Sequence, residues 1–279
     1  MPATAVRLLR KMRGGAQAQL MEADDGHFYV VKFRSNPQGR RILLNEWFGT
    51  YILRHLGIAC PEVNAIRLTP EFLESNPEAA IQLGPETLRP DPGWHFGSRY
   101  PGHPDRVAVY DFVPDTLLDK VENVREFGGM LIVDKWACNA DARQSVFLRA
   151  RVSEYAPSMG MHPRRVGFVA LMIDHGYLFN GPHWECMDAP VAGLYFRPMV
   201  YRGLRSFDDL QPWFDRVVNF PEDVIDDALR QVPSEWLAED EDPLQHLLGT
   251  LMVRRGRVEK LLRDAFRSRS GHFPDWAER

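Results

Sequence analysis

"DKWACNADARQ", residues 134–144, sets two aspartates, an asparagine, an arginine and a glutamine within eleven positions. It grows out of "REFGGMLIVDKWAC" (125–138), whose largely apolar run reads as a helix, and passes into "QSVFLRARV" (144–152), which reads as a strand. The C-terminal end of that helix points at Asn139 and Asp141. A carboxylate held there can accept a proton from an attacking hydroxyl. Gln144, three residues on, offers a carbonyl oxygen to a divalent cation. The plain use of such an aspartate is to form a turn, so the stretch has to be weighed with its neighbours.

Downstream lies "RRVGFVALMID" (164–174), a second apolar strand after a polar loop. It ends on Asp174, followed by His175 and Gly176. A strand-ending aspartate is either a hairpin cap or a metal ligand whose position the strand fixes. Magnesium takes few protein ligands and keeps waters and phosphate oxygens, so Gln144 and Asp174 would suffice.

Upstream, three strands with short turns predict an antiparallel meander. They are "AVRLLRKM" (5–12), "AQAQLMEA" (16–23) and "FYVVKF" (28–33), with Gly14-Gly15 at the first turn and "DDG" (24–26) at the second. Adjacent glycines let peptide N–H groups converge on an anion, although a hairpin turn alone also explains them. Alternation puts Val30 and Lys32 on one face, with Tyr29, Val31 and Phe33 on the other. A lysine among apolar strand residues must snorkel to water or find an anion. Glu46 is the only acid in the helix predicted over 40–57, and Gly57 is placed to end that helix. An embedded lysine and an embedded glutamate make a more informative pair than either residue alone.

The remaining pattern completes the order of elements. A strand is predicted over 59–68 and a short helix after Thr69-Pro70, with Thr69 as cap. Residues 74–106, rich in Pro and Gly, read as a long wrapping loop that must bury Trp94, Phe96 and Tyr100. "RVAVYDF" (106–112) reads as a strand ending at "VPD". Beyond the hairpin the chain reads as helical. Ser206 caps "FDDLQPWFDRVV", Pro221 opens the next helix, and one long helix runs from about Pro243 to Arg269. Strands first and helices later predict an α+β fold with two lobes and a cleft near residue 113.

Composition bounds the rest. The chain has 279 residues, 44% hydrophobic and 26% charged, with a net charge of −4. That is ordinary globular composition, and it argues against a general nucleic-acid binder despite the local basic group of Arg7, Arg10, Lys11 and Arg13. Three scattered cysteines, Cys60, Cys138 and Cys186, give neither a disulfide framework nor metal spacing. The longest uncharged apolar run, near "VGFVALMI", is far short of a membrane span, and no signal peptide is evident. The expectation is a cytoplasmic protein.

Read in order, the parts are a Gly-rich turn, a strand lysine, a helix glutamate, a linking strand, an aspartate with a glutamine, and a strand-ending aspartate. Kinases place the parts for phosphoryl transfer from a nucleotide in that order. The sequence resembles the HipA-like kinase family, in its branch of short, single-chain bacterial proteins. The resemblance is carried by "RGGAQAQL", "VVKF", "NEWFGTYILRHLGI", "HFGSRYPG", "VYDFVPD", "DKWACNADARQSVF" and "IDHGYLFN", over about residues 7 to 180.

The resemblance implies a bilobal protein-kinase-like fold that binds ATP and Mg²⁺, with an N-lobe over 1–113 and a C-lobe over 114–279. Gly14 and Gly15 would lie in the phosphate loop. Lys32 would hold the α- and β-phosphates and pair with Glu46. Tyr110, Asp111, Phe112 and Val113 would form the hinge that meets adenine through backbone groups. Asp141 would be the catalytic base and Asp174 the main metal ligand, with "DHG" standing where eukaryotic-type kinases carry "DFG". The better-known HipA toxins place an asparagine some residues after the base; here Gln144 is the nearest amide. Ser98, in a Gly-containing loop, is a candidate autophosphorylation site, although a structural serine is the plainer reading. Arg99 and Arg143 are read as solvated surface residues that could also meet an incoming phosphate. A nucleotide-binding pseudokinase and a kinase for a small molecule or lipid head group remain as alternatives. The phosphate acceptor, any protein partner and the oligomeric state are not written in the sequence.

Overall fold

The computed structural model describes residues 2–156, 162 and 164–277. Strands β1 (Ala3–Lys11), β2 (Gln19–Ala23) and β3 (Phe28–Lys32) form the expected meander. Lys11 lies opposite Gln19, and Gln19 opposite Val31, so the β1–β2 turn projects past the Lys32 end of β3. Tyr29, Val31 and Phe33 face an apolar core shared with Met21, Ile66, Leu68 and Phe72, which leaves Val30 and Lys32 on the opposite face.

Helix α1 (Arg41–Leu56) follows. It ends at Gly57, whose φ of +72° a residue with a Cβ adopts only with strain. Strand β4 (Val63–Leu68) begins later than the predicted Ala59, because the backbone of Ala59 is engaged elsewhere. Its N–H donates to Glu126 at 2.8 Å and its carbonyl accepts from Met172 at 2.8 Å. Helix α2 (Pro70–Ser75) is capped by the Thr69 hydroxyl, which accepts from the Phe72 N–H at 3.1 Å.

The predicted loop over 74–106 is corrected by three strands: β5 (Ile81–Leu83), β6 (Glu86–Leu88) and β7 (Gly93–Arg99). Among the described residues strands β5 and β6 pair only with each other, whereas β7 sits between β3 and β4 and closes a five-stranded barrel in the order β1-β2-β3-β7-β4. Composition hides β7 because two of its positions defy strand statistics. The Ile66 and Tyr29 side chains occupy the space that a Cβ on Gly97 would need. His95 is fully buried, accepting from the Arg34 N–H at 3.0 Å. Ser98 is therefore a strand residue paired with Val30 and Val63, not part of a flexible loop.

The predicted strand 106–112 shrinks to β8 (Val109–Tyr110), which joins a different sheet. After α3 (Asp115–Leu118) comes α4 (Glu126–Trp136), buried along its whole length. Strand β9 (Gln144–Arg151), the short α5 (Val152–Tyr155) and β10 (Val166–Ile173) form the expected hairpin. Gln144 lies directly across from Ile173, and Tyr110 of β8 across from Phe147.

The helical remainder contains α6 (Trp213–Val218), α7 (Asp223–Arg230), α8 (Ser234–Leu237), α9 (Glu241–Arg254) and α10 (Val258–Ser268). Two predicted helices are each broken. Ser206 caps only a tight turn, Phe207–Leu210, in a reciprocal capping box with Asp209, and α6 starts after Pro212. The long terminal helix is interrupted by a tight turn at Arg255–Arg257. There Arg255 turns its guanidinium onto the carbonyls of Met252 (2.9 Å) and Phe220. The Trp47 indole N–H donates to the Ala228 carbonyl at 3.0 Å, fastening α1 to α7.

Candidate active site

Lys32 is the last residue of β3, and its ammonium lies between two carboxylates. It bonds Glu46, from the middle of α1, and Asp174 Oδ1 at 2.7 Å. Glu46 also accepts the N–H groups of His175 (3.0 Å) and Gly176 (3.1 Å), the two residues after Asp174. One helix carboxylate therefore binds both the strand lysine and the turn that follows β10. That approach requires small residues at the contact. A Cβ on Gly176 would come within 2.6 Å of Ile42 Cγ2, and one on Gly49 within 2.7 Å of His175 Cβ. Asp174 has a φ of +58°, a conformation that Asp tolerates better than most residues.

The electrostatics follow from burial and proximity. Burial alone would strip the proton from Lys32, but Glu46 and Asp174 outweigh it and hold the ammonium above its usual pKa. Burial also works against the charged form of Asp174, and there Lys32 wins, with help from Arg143, so the carboxyl is lowered. For Glu46, burial pushes the carboxyl up against the pull of Lys32. Burial and the nearby Arg143 guanidinium push His175 well below the usual imidazole value, so it is neutral, and its Nδ1 accepts from Arg143 Nη1 at 3.1 Å.

Arg143 corrects the expectation of a solvated surface residue, since it is almost completely buried. Nε and Nη2 bind the two oxygens of Asp134 at 3.1 and 2.5 Å. Nη1 reaches the carbonyls of Ile173 (2.8 Å) and Asp174 (3.3 Å). Asp134 also accepts from Asn139 Nδ2 at 2.8 Å. Arg143 thus ties the loop that carries Asp141 to the turn that carries Asp174. A signal was present in the sequence: Asp134 stands in an apolar helix and needs a buried cation, and Arg143 is at hand in the same motif. Arg99 is paired with Glu62 at 2.6 Å and is not at this site.

Asp141 is exposed, with its N–H on Asn139 Oδ1 (3.1 Å) and its Oδ1 accepting from the Ala142 N–H (2.7 Å). Its link to the Lys32 cluster runs through Arg143, two residues on. Gln144, also exposed, starts β9 at the same end of the hairpin as Asp174. Among the described residues no group of three or more His, Cys, Asp or Glu forms a ready-made metal cage. A carboxylate and an amide oxygen at one hairpin end suit a hard cation that draws its other ligands from water and phosphate.

Gly14 and Gly15 sit at the β1–β2 turn, where Met12 N–H meets the Ala18 carbonyl at 2.8 Å. Gln17 pins this turn by exchanging two bonds with the backbone of Gln82, at 2.6 and 2.7 Å. A Cβ on Gly14 would meet open space, whereas one on Gly15 would lie 2.9 Å from Gln38 Nε2. On the Lys32 face of β3, Val30 packs with Leu20, Phe28, Tyr100, Met12 and Val109 in an apolar cluster. In the 110–113 stretch Tyr110, Asp111 and Phe112 are exposed, and Val113 is buried. The Val113 carbonyl accepts from Arg197 Nη1 at 2.6 Å, and the same guanidinium lies 4.7 Å from the centre of the Phe112 ring.

A family model described as HipA-like kinase matches residues 5–147, just over half of the chain. Among solved structures, one described as the Golgi casein kinase aligns with a TM-score of 0.50 at 13% identity, covering 96% of this chain and 75% of that one. Another, described as the Golgi casein kinase with Mn/ADP bound, aligns with a TM-score of 0.48 at 12% identity, covering 96% and 73%. At such identity the first likeness is one of fold, the α+β architecture of protein-kinase-like proteins. No curated protein matches the sequence.

Proposed function

The chain belongs to the HipA-like kinase family, and from that premise we propose that it is an ATP- and Mg²⁺-dependent phosphotransferase that moves the γ-phosphate to a hydroxyl acceptor. The observation that carries this reading is the Lys32 ammonium held between Glu46 and Asp174. One cation serves two carboxylates there, so the cluster retains negative charge that a divalent ion would balance.

Each residue then has a task. Lys32, oriented by Glu46, meets the α- and β-phosphates. Asp174 and Gln144 hold Mg²⁺, which supplies charge neutralisation at the phosphate oxygens. The backbone at Gly14 and Gly15 covers the phosphates. Adenine lies against the apolar cluster around Val30, and Tyr110 to Val113 meet its edge. Asp141 accepts the proton of the attacking hydroxyl. Residues 1–113 act as the nucleotide-covering lobe and 114–279 as the lobe of the catalytic and metal loops. The departure of β8 from the barrel to pair with β9 supports that division. No helix among the described residues is long and apolar enough to cross a membrane, and we assign the work of the protein to the cytoplasm.

The test is transfer of labelled γ-phosphate from ATP with Mg²⁺, to the protein itself or to water. Asp174→Ala is expected to abolish it, and Asp141→Asn to lower it by about 10²–10⁴-fold, both with the fold intact. Full transfer by either variant removes the role given to that residue. Nucleotide-induced thermal stabilisation without turnover would favour a pseudokinase, the reading that Gln144 in the place of an asparagine supports.

A further inference from the structure

Lys135 lies in the same motif as Asp141 but takes no part in the Lys32 cluster. Its residue is 5% exposed. Its ammonium donates to the carbonyls of Ala189 (3.3 Å), Pro190 (2.8 Å) and Ala192. An ammonium has three N–H donors, so all are spent, and all on one short stretch of chain. That stretch is fastened again on both sides. The Gly193 N–H donates to the Asp141 carbonyl at 3.0 Å, and the Arg143 N–H to the Leu194 carbonyl at 3.1 Å. The Asp188 carboxylate takes Arg254 at 2.8 Å and Arg257 at 2.5 Å. Two of these stitches end on the backbone of the loop that carries Asp141.

The charges around Lys135 are committed elsewhere. Asp134, on its own helix, is bound by Arg143 and Asn139. Asp188, on the fastened stretch, is bound by Arg254 and Arg257. Arg254, at the end of α9, donates to Lys135's own carbonyl at 3.1 Å. Asp264 of α10 and Cys138 line a void of about 20 Å³ next to Lys135. The ammonium therefore rests on carbonyl dipoles, and burial, set against the pull of Asp134, brings its pKa down to about 8.

In many kinases the stretch after the metal-binding aspartate is ordered by a phosphate placed on it, which pairs with a cation. Here the sequence contains no serine or threonine between Asp174 and Ser206; of the three tyrosines in that interval, Tyr195 and Tyr201 are buried, and Tyr177 is half-buried and lies outside the fastened stretch. We propose that Lys135 is a positioning residue, a built-in cation that holds residues 189–194 against the Asp141 loop and keeps the site assembled without phosphorylation of that stretch. Its consequence for turnover rests on the phosphotransferase reading above; the clamp itself does not.

The experiment has two arms, and a first readout that needs no catalysis. Lys135→Met keeps an unbranched apolar stem and removes the donors. Amide exchange at Gly193 and Arg143 is expected to rise by about tenfold or more, with amides of α4 and β10 within about twofold. Unchanged exchange at Gly193 and Arg143 overturns the clamp, whatever the enzyme does. In ATP turnover the variant is expected to lose about 10- to 100-fold in kcat while nucleotide affinity stays within about twofold. Unchanged kcat in the variant, with an active wild type, removes the catalytic part of the proposal. The second arm uses the wild-type protein alone and so survives a variant that fails to fold. Phosphatase treatment is expected to leave turnover unchanged, and a loss of turnover restored by rephosphorylation within 175–205 overturns the proposal. A wild type with no turnover would count against the phosphotransferase reading, and the exchange readout would still decide the clamp.

Discussion

Two cations, the partly buried Lys32 and the buried Arg143, stand on either side of the Asp174 turn, and they are satisfied in opposite ways. Arg143 has one carboxylate, Asp134, and spends its remaining reach on the Ile173 and Asp174 carbonyls and on a neutral imidazole. It forms a neutral pair with donors and acceptors largely matched, enclosed by protein. Lys32 has two carboxylates, so its cluster carries surplus negative charge, and the Asp174 side chain is one-third exposed. A matched, enclosed pair has nothing to offer a ligand, whereas an under-neutralised cluster with an open side does. The first arrangement is a bolt and the second a socket.

The comparison breaks most visibly at the bolt. Arg143→Met leaves Asp134 buried without its cation and frees three acceptors at the Asp174 turn. Removing one partner of a buried pair costs roughly 3–5 kcal/mol. Urea unfolding is expected to show a loss of that size, together with loss of any nucleotide-dependent stabilisation. A variant within about 1 kcal/mol of wild type would mean that Arg143 is not the bolt.

The socket should respond less, and with a different dependence on pH. Lys32→Met leaves Glu46 and Asp174 facing each other, although the His175 and Gly176 N–H groups still hold Glu46. The raised Lys32 pKa makes its contribution fully present below the usual lysine value and lost only above the folded one. Asp174 is lowered in the fold, so its contribution is present above its usual value and lost as pH falls through the folded one. The deficit of Lys32→Met is therefore expected to be about 1–3 kcal/mol near pH 7 and to narrow as the pH falls below about 4. Mg²⁺ should recover part of the neutral-pH deficit by supplying the missing positive charge. A deficit independent of pH would show that Lys32 stabilises by packing alone.

The legibility of these two places in the sequence differs for the same physical reason. Lys32, Glu46 and Asp174 each interrupt an apolar run, and a charge in such a setting is conspicuous because it must be answered. The resemblance implies the pairing of Lys32 with Glu46, but that Asp174 meets the same ammonium is not readable, since contact across 142 positions of chain is set by tertiary packing. Asp134 also interrupts an apolar run, and by the same rule it needs a buried cation. Arg143 is hard to recognise as that cation, because a single arginine in a polar loop resembles every solvated arginine. Strand β7 was hidden by Gly97 and His95, residues that fit there only because Ile66, Tyr29 and the Arg34 N–H fill the space around them. The β1–β3 meander and the α1 and α4 helices were legible because local periodicity alone determines them.

Another buried acid sharpens the contrast, for among the described residues it has no cation. Glu126, at the start of α4, is fully buried; one oxygen accepts from the Ala59 N–H and Asn123 Nδ2, both at 2.8 Å, and the other has no partner among the described residues. Burial pushes its pKa from the usual 4.5 up to about 7, against the pull of those two donors. The folded pKa lies above the unfolded one, so the folded chain holds this proton more tightly. The stability it contributes is fully present below about 4.5 and is lost as pH rises through about 7. Glu126→Gln keeps an acceptor for both donors and has no proton to lose. The stability of the wild type relative to this variant is therefore expected to fall between pH 5 and pH 8, by an amount on the order of 1 kcal/mol, or about 2–4 °C in Tm for a chain of this size. Parallel Tm curves for the two proteins across that range would mean that Glu126 stays ionised in the fold. Its orphan oxygen would then have to be satisfied by water, and the joint between Ala59 and α4 would be a wetter contact than the bolt at Arg143.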